Sequence, residues 1–535
     1  MSEPQGGLPV GWCLADLADV AEINPAHPAK TPADDDPVSF VPMASVEELT
    51  GRLDASRRRP WAQVKTGYTK FQDGDVLFAK ITPCMENGKV ALAQRLLGGV
   101  GAGSTEFHVL RPGPALNAKF LMFRFLQEQV RQSAREKMTG TAGQLRVPAS
   151  FLEELSIPLA PVAEQQRIVD AIESHLSRLE DAVASLERVR RNLKRYRAAV
   201  LKAAVEGRLV PTEAELARAE GRDYEPAGVL LKRILTERRR RWEEAERGRL
   251  GARTAVSIDE RWKGKYREPP DPDVSVLPAL PDGWTWATLG QLSWHASYGT
   301  SLRCSETASG VPVLRIPNVS EGRVDLGEMK CCTEPLQLPE SEWLAPGDLL
   351  VIRTNGSRSL IARAALLDRP LTQAHYFASY LIRFRLVAPP IGPWLVAYWH
   401  APSTRVRLEA EAATSAGQYN VSLAALARQP VPLPPLSEQT RIAKELDRLA
   451  STIASSSSTV DAASSRSVRL RQAILKWAFE GKLVDQDPTD ELASVLLERI
   501  RQETAASRTA VGQKREGAWG RRGRMKRGAG EETAR

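Results

Sequence analysis

Along two stretches of the chain, apolar residues recur at alternating intervals of three and four. In the first they are Val169, Ile172, Leu176, Leu179, Val183 and Leu186, continued by Leu193 and Val200. This spacing places one apolar stripe along a helix and is the heptad pattern of a coiled-coil seam. In the second, Ile442, Leu446, Leu449 and Ile453 open a seam that closes with Leu470, Ile474 and Trp477. Between them stand Val460 and small residues such as Ser456, Ala463 and Ser467, which weaken the seam but let two helices approach closely. Proline-rich segments lead into both helices: Pro434 and Pro435 block extension backwards, and Ser437 is placed as an N-cap. Gly207 and Gly481 are expected to stop them. Each helix is then about 40–45 residues, or roughly 60–70 Å at 1.5 Å per residue.

Elsewhere the pattern changes to short β-rich runs bounded by Gly and Pro, such as "GDVLFAKI" from Gly74 and "GDLLVIRT" from Gly347. These two runs belong to a larger repetition. "LPVGW" at Leu8 returns as "LPDGW" at Leu280, "TAGQLRV" at Thr141 as "SAGQYNV" at Ser415, and "EGRLV" at Glu206 as "EGKLV" at Glu480. "PLAPVAEQQRI" at Pro158 returns as "PLPPLSEQTRI" at Pro432. The order is the same and the shift nearly constant, so the chain contains two copies of a whole module, too long for a solenoid repeat. In each copy an α+β part precedes a long helix. The stretch "NAKFLMFRFLQEQVRQSAREKM" after the strand "EFHVLRP" supplies helix to the first copy. Equal helices at matching places favour pairing with each other, antiparallel, between two α+β domains in pseudo-two-fold tandem.

The expected organisation is an α+β domain over 1–160, the first long helix over 161–207, and a helical region with a charged, proline-rich linker over 208–279. A second α+β domain follows over 280–435, the second long helix over 436–481 and a C-terminal helix over 482–505. A disordered Gly- and Arg-rich tail is expected over 506–535.

Composition narrows the chemistry. The 535 residues are 42% hydrophobic and 26% charged, with a formal charge of +9, which suits a soluble multidomain protein and is compatible with a polyanionic partner. No apolar run is long enough to span a membrane and no signal segment is evident, so the cytoplasm is expected. Five cysteines and six histidines show no metal-ligand spacing, so no metal site is expected and the cysteines fit packing roles in a reducing compartment. No phosphate-cradling GxxxxGK[ST] loop, no GxGxxG after a strand and no [DN]PP[YF] motif occurs; Asn24-Pro25-Ala26 lacks the aromatic of the last. Asp73, Asp75 and Glu86 near Lys89 loosely resemble a nuclease cluster, but the second copy has no counterpart. No cofactor and no catalytic residue is therefore expected.

The best candidates for recognition lie on a strand and the loop after it. They are Lys80, Thr82, Asn87 and Lys89 in the first copy, and Arg353, Thr354, Asn355, Ser357 and Arg358 in the second. Their guanidinium, ammonium, amide and hydroxyl groups suit phosphates and base edges. The scaffold repeats while the polar residues change, as two readers of different sequences require. Beside the turn glycines Gly143 and Gly417, the glutamines Gln144 and Gln418 either contact DNA or cap a neighbouring domain, with Arg146, Tyr419 and Asn420 adjacent. In "TERRRRWEEAERGR" acids follow the basic run, which favours a solvated or partner-facing helix over a DNA-binding one.

Together, "LPxGW" opening each module, "GDVLFAKITPCMENGK", "STEFHVLRP", the "EQQRI" and "EQTRI" junctions, "AAVEGRLV" and "WAFEGKLV" resemble the specificity subunits of type I restriction-modification systems. The resemblance runs from Leu8 to about Thr504. It implies two target-recognition domains, each reading one half of a bipartite double-stranded DNA sequence, with the two helices fixing the spacer. It also implies docking of two methyltransferase subunits on the helices and the adjoining regions, the helical region over 208–279 included, and through them of ATP-dependent restriction subunits. By that resemblance Glu164, Gln165, Gln166 and Arg167, with Glu438, Gln439 and Arg441, lie at junctions and subunit contacts. The second recognition domain departs from the family pattern and is expected to read a different half-site. A free-standing pseudo-dimeric regulator and a single-chain nuclease or methyltransferase are the competing readings.

Overall fold

Short apolar runs ended by turns build small sheets, and the computed structural model shows how they stack. It describes residues 7–141, 143–251, 260–320, 322–415 and 417–503. The chain divides into two compact units, 1–187 with 461–535, and 188–460. The division falls inside both long helices, so each unit holds one α+β domain, the start of one helix and the end of the other.

In unit 1 one antiparallel sheet orders the strands Ala21–Ile23, Phe107–Pro112, Val76–Ala79 and Val90–Leu92. A second sheet orders Arg58–Pro60, Pro37–Val41, Val100–Gly103 and Thr69–Gln72. The helical stretch of this copy forms two helices, Ala118–Phe125 and Glu128–Glu136. Asn117 caps the first through the Lys119 and Phe120 amides, and the chain turns out at Gln127, whose side chain donates to the Leu475 carbonyl (3.0 Å).

Unit 2 has a six-stranded sheet in the order Ser293–Tyr298, Leu381–Leu386, Asp348–Ile352, Ala364–Leu366, Gly322–Val324 and Val319–Ser320. A four-stranded sheet contains Cys304–Ser305 and Lys330–Cys332, where Cys304 lies opposite Cys332 with their sulfurs 4.0 Å apart. The cysteines are thus less scattered than their sequence positions suggest. Each domain is closed by a two-stranded pair just before its helix: Cys13–Asp16 with Ser156–Leu159, and Thr285–Thr288 with Pro430–Leu433.

The same ion pair braces both domains. Arg111 grips buried Asp75 and Arg385 grips buried Asp348, each through two bonds of 2.8 and 2.9 Å. The acid of each "GD" turn is thereby committed to a bidentate pair, which also accepts a backbone amide three residues earlier.

The long helices run Val162–Val205 and Leu436–Phe479, 44 residues each. The second begins directly after Pro435, so Ser437 lies inside the first turn instead of capping it. Both end in the same way. Arg208 N donates to Ala203 O and Gly207 N to Ala204 O; Lys482 N donates to Trp477 O and Gly481 N to Ala478 O. With Gly207 at φ 68° and Gly481 at φ 64°, these are Schellman stops.

Within unit 1 the start of the first helix (Ile168, Val169, Ile172, Leu176, Leu179) shares a core with the end of the second (Ile474, Leu475, Ala478, Phe479). Within unit 2 the first helix's Ala204 shares a core with the second's Ile442. The two chains therefore run antiparallel in each unit. Three seam positions differ from expectation: Val183 of the first helix is 37% exposed, and in the second Leu470 and Trp477 are 43% and 49% exposed, with Leu475 and Phe479 buried instead. The Ser- and Ala-rich middle of the second helix carries too little apolar surface to hold the counted register there.

The described part of 208–279 packs on the second domain. The helix Ala227–Gly251 buries Leu230 and Ile234 in the core of unit 2, and Arg238 donates to the Gly290 and Ser293 carbonyls. Pro270 and Asp271 are bonded to Thr288 and Gln291. Residues 493–503 are helical, and Ala493 and Leu497 complete the core of unit 1. The tail expected over 506–535 lies outside the described residues. Among the described residues no helix is long and apolar enough to cross a membrane.

Candidate nucleic-acid interface

In unit 1 the chain leaves the strand Val76–Ala79 and runs beside the "GQLRV" segment. Ile81 bridges Arg146, Thr82 N donates to Leu145 O (3.0 Å), and Val147 N donates to Lys80 O (2.8 Å). A further bridge joins Thr139 to Arg146. Two phrases about sixty residues apart thus form one miniature ladder, capped by the loop over 82–89. Beneath it buried His108 donates from Nε2 to the Val147 carbonyl (2.9 Å), leaving Nδ1 to accept from the Asn24 amide (3.0 Å). Burial, the largest influence, pushes its imidazole pKa down, so the ring is held neutral.

Unit 2 repeats the arrangement as strands. Thr354 pairs with Asn420 and Asn355 with Tyr419, and Ala413–Ser415 extends the ladder. Thr354 and Asn420 are the counterparts of Ile81 and Arg146 in the duplication. Arg353 is fixed on both sides: its N–H donates to Tyr380 O (2.8 Å) and its carbonyl accepts from Val421 N (3.0 Å). Its guanidinium lies 4.6 Å over the Tyr298 ring, an aromatic support that leaves its donors free. Asn355 accepts from Ser357 N (2.7 Å) and so shapes the following turn. Thr354 Oγ1 lies 3.5 Å from Gln418 Oε1, and Arg358 Nε donates to Glu409 O (3.0 Å).

The structure therefore gathers Lys80, Thr82, Gln144 and Arg146 in one unit, and Arg353, Thr354, Asn355, Gln418, Tyr419 and Asn420 in the other, with Ser357 and Arg358 on the adjoining turn. Several are already engaged. Lys89 donates its ammonium to the Met43 and Val46 carbonyls (3.3 and 2.9 Å) and pins the loop. Arg146 holds Glu106 with two bonds of 2.9 Å and donates a third to Gln144 O (3.2 Å), which pushes the Glu106 pKa down. Thr82 donates to Glu86 (2.7 Å), and Asn87, though exposed, donates to Glu48 (2.9 Å). Sequence reasoning missed Tyr298 and His108. Neither lies in a repeated phrase, and only the fold brings them under the ladders.

The junction residues need a correction. Glu164, Gln165, Glu438 and Gln439 are buried inside their own units and present no side chain to another subunit. Trp12 Nε1 donates to Glu164 (3.0 Å) and Trp284 Nε1 to Glu438 (3.0 Å), so the Trp of "LPxGW" is bolted to the Glu that opens the helix. Gln165 donates to the Ala115 and Ala160 carbonyls and Gln439 to the Pro434 carbonyl, satisfying buried backbone at the joint. Burial raises the pKa of both glutamates. Arg167 pairs with Asp490 (2.8 Å), and Arg441 with buried Glu213 (2.5 Å). Burial alone would raise the Glu213 pKa, but the bonds from Arg441 and Arg222 outweigh it. Gln166 alone of the set is fully exposed, bonded to Asn117 and Asp170.

The family model described as the type I restriction modification DNA specificity domain matches residues 9–187 and 405–460. The chain is 29% identical over 503 residues to the type I restriction enzyme EcoAI specificity subunit of Escherichia coli, covering 83% of this chain and 78% of that protein. It is 28% identical over 492 residues to the EcoEI specificity subunit of the same species, covering 82% and 78%. Among solved structures, the HsdS subunit from Thermoanaerobacter tengcongensis superposes with a TM-score of 0.52 at 20% identity, over 90% of this chain and all of that one. A chain from a structure of type I R-M complex assembly and conformational transition gives 0.57 at 20% identity, over 89% and 99%.

Proposed function

The chain belongs to the family of type I restriction-modification specificity subunits, non-catalytic proteins that recognise DNA sequence, and from that premise we propose how its residues divide the work. Each ladder reads one half of a bipartite target in the major groove. In unit 1 the readers are Lys80 and Gln144, held in place by Lys89, Arg146 and the loop residues Thr82 and Asn87. In unit 2 they are Arg353, Thr354, Gln418, Tyr419 and Asn420, with Asn355, Ser357 and Arg358 shaping and flanking the turn.

A single observation carries this reading: the two ladders occupy equivalent places in the duplication and present different side chains. Arg353 is the strongest candidate for a base contact, because a guanidinium supported by an aromatic ring is pre-oriented for two-point pairing with guanine. The length of the two helices sets the spacer between the half-sites. Methyltransferase subunits, two by the family resemblance, dock on exposed surface, for which the apolar side chains Trp477, Leu492 and Val495 of unit 1 are available. Restriction subunits join through them, in the cytoplasm.

The test is an exchange of residues 8–157 for another recognition domain, followed by mapping of methylated sites in the host. One half of the site should change and the other stay. A change in both halves overturns the assignment of one reader to each half.

A further inference from the structure

The second sheet of unit 1 carries cations that its ladder does not use. Across that sheet Phe40 lies beside Ala102 and Ala102 opposite Lys70, while Val38 lies opposite Arg59. Paired and alternate residues share a face, so Arg59, Phe40 and Lys70 stand on one side of the sheet. Trp61 and Tyr68 pack on the same side, and the other side, with Val41 and Phe71, faces a separate core. Arg59 lies 3.9 Å over the Phe40 ring and donates to the Tyr68 hydroxyl (3.2 Å), and Lys70 lies 6.0 Å from the Trp61 ring. Arg58, beside Arg59 on the edge strand, is exposed. None of Arg58, Arg59 and Lys70 forms an ion pair among the described residues.

Unit 2 treats the same place differently. Its strand Pro312–Leu314 matches Pro37–Val41, since each pairs in parallel with one neighbour and antiparallel with another. Lys330 lies opposite Val313 as Arg59 lies opposite Val38, and it is answered by Glu306 (3.3 Å). In unit 1 the acids near the sheet are engaged elsewhere. Asp34 holds Lys65 (2.8 Å), Asp36 accepts from Ala33 N (2.8 Å), and Asp54, the acid that Arg57 faces, accepts from Ser56 N (3.0 Å). Exposed Asp35 precedes Pro37, at the start of its strand.

The opposite end of that strand leads to the ladder. From Ala102, opposite Lys70, four residues reach Glu106, whose carbonyl accepts from Lys80 N (2.9 Å). Four residues span at most about 14 Å. A major groove about 12 Å wide and 8.5 Å deep puts its phosphates at a comparable distance from a side chain that reads its floor. At the ladder itself Lys89 and Arg146 are engaged by the protein, so Lys80 is the cation left to the DNA. A reader with so little free charge needs phosphate contacts from a neighbouring surface.

We propose that Arg58, Arg59 and Lys70 form a phosphate-binding face of unit 1, which grips the backbone of the duplex beside the half-site that its ladder reads. The proposal rests on the DNA-reading role assigned above. Cations held over aromatic rings keep most of their N–H donors for phosphate oxygens while the rings fix their position. Phosphate contacts carry no sequence information, so the face supplies affinity and register and leaves base choice to the ladder.

The experiment replaces Arg58 and Lys70 together by Gln in the full-length chain, leaving Arg59 on its ring. Binding is titrated against salt on a duplex carrying the mapped methylation site and on a random duplex. The slope of log K against log salt should become shallower by about 2, at 0.9 per phosphate contact, with equal loss on both duplexes. Lys330→Gln, at the answered position of unit 2, should leave the slope as it was. An unchanged slope in the double variant overturns the face. So does a loss confined to the site duplex, which would make these residues base readers, or a shallower slope in Lys330→Gln, which would make the effect one of net charge. Arg353→Ala in the same assay separates the two ideas: if it leaves base preference unaltered, the ladder reading fails while the face stands.

Discussion

Replacing Trp284 by Phe tests whether the joint between domain and helix is held by one buried bond. The indole donates to Glu438 Oε1 (3.0 Å), and the other carboxylate oxygen accepts from Glu213 N (2.8 Å). Glu438 is fully buried, and the Trp284 ring packs edge-on against Trp394, centroids 5.4 Å apart at 87°. Phe keeps most of the aromatic contact but removes the donor, leaving a buried carboxylate oxygen unpaired. A hydrogen bond to a charged group contributes about 1.5–3 kcal/mol. The void left by the smaller ring adds about 1 kcal/mol. The expected cost is about 2.5–4 kcal/mol, or roughly 5–16 °C in Tm for a unit of this size.

The sign of the pH dependence gives an internal check. Burial raises the Glu438 pKa above 4.5, and the Trp284 bond opposes that rise. A raised carboxyl contributes stability that is full below pH 4.5 and lost as pH rises through the folded value. Without the indole the folded pKa climbs further, so the deficit of Trp284→Phe should be larger at pH 8 than near pH 5. Calorimetry at both values, with Glu438→Gln and the double variant, closes a cycle whose coupling should be about 1–3 kcal/mol. Additivity within about 0.5 kcal/mol, or a deficit independent of pH, would refute the reasoning.

Three further outcomes follow from the geometry. Arg353→Ala should relax one base position of one half-site in methylated-site mapping, at a cost of about 1–3 kcal/mol; a uniform loss over all sequences would make it a phosphate contact. The depressed pKa of His108 means that its contribution is present above about 6.5 and lost as pH falls through the folded value. Acidification from pH 7.5 to 5 should thus loosen the unit 1 ladder, measured by amide exchange at Val147, and His108→Gln should flatten that response. Gly207→Ala and Gly481→Ala should each cost about 2 kcal/mol in thermal unfolding, because both sites have positive φ and a methyl would strike Pro281 or Pro9.

The long helices were legible because an apolar stripe ended by Gly is a local signal, and they stop two residues before Gly207 and Gly481. The duplication located the reading phrases without alignment to anything outside the chain. The pairing of residues 80–82 with 145–147 was invisible, since three-residue ladders carry no periodicity and their partners are distant in sequence. The resemblance misled at the junctions. It implied subunit contacts for Glu164, Gln165, Glu438 and Gln439, yet two indole donors and several carbonyls draw them inside. Lys89 and Arg146 are candidate DNA contacts by residue type, and only the fold shows the neighbours that fix each of them.

The joints also explain why the repeat cannot be cut where the sequence suggests. Unit 1 is opened by Trp12 and Glu164, but it is completed by the end of the chain: Arg167 pairs with Asp490, Ala493 N donates to Gly11 O, and Gly481 packs on Pro9. Unit 2 builds the same joint from Trp284, Glu438, Arg441 and Glu213, with Gly207 packed on Pro281. The segment after each helix therefore serves the domain of the other copy. The second copy alone would leave buried Glu438 without the Glu213 amide and Arg441 without the Glu213 carboxylate, at a cost of several kcal/mol, and the first copy alone would leave Arg167 without Asp490. A lone module could satisfy those groups only by exchanging tails with a second molecule. Joined in one chain, the two modules can take different ladders while the joints keep the same Trp–Glu bond, so each reader is free to change its sequence preference without disturbing the other.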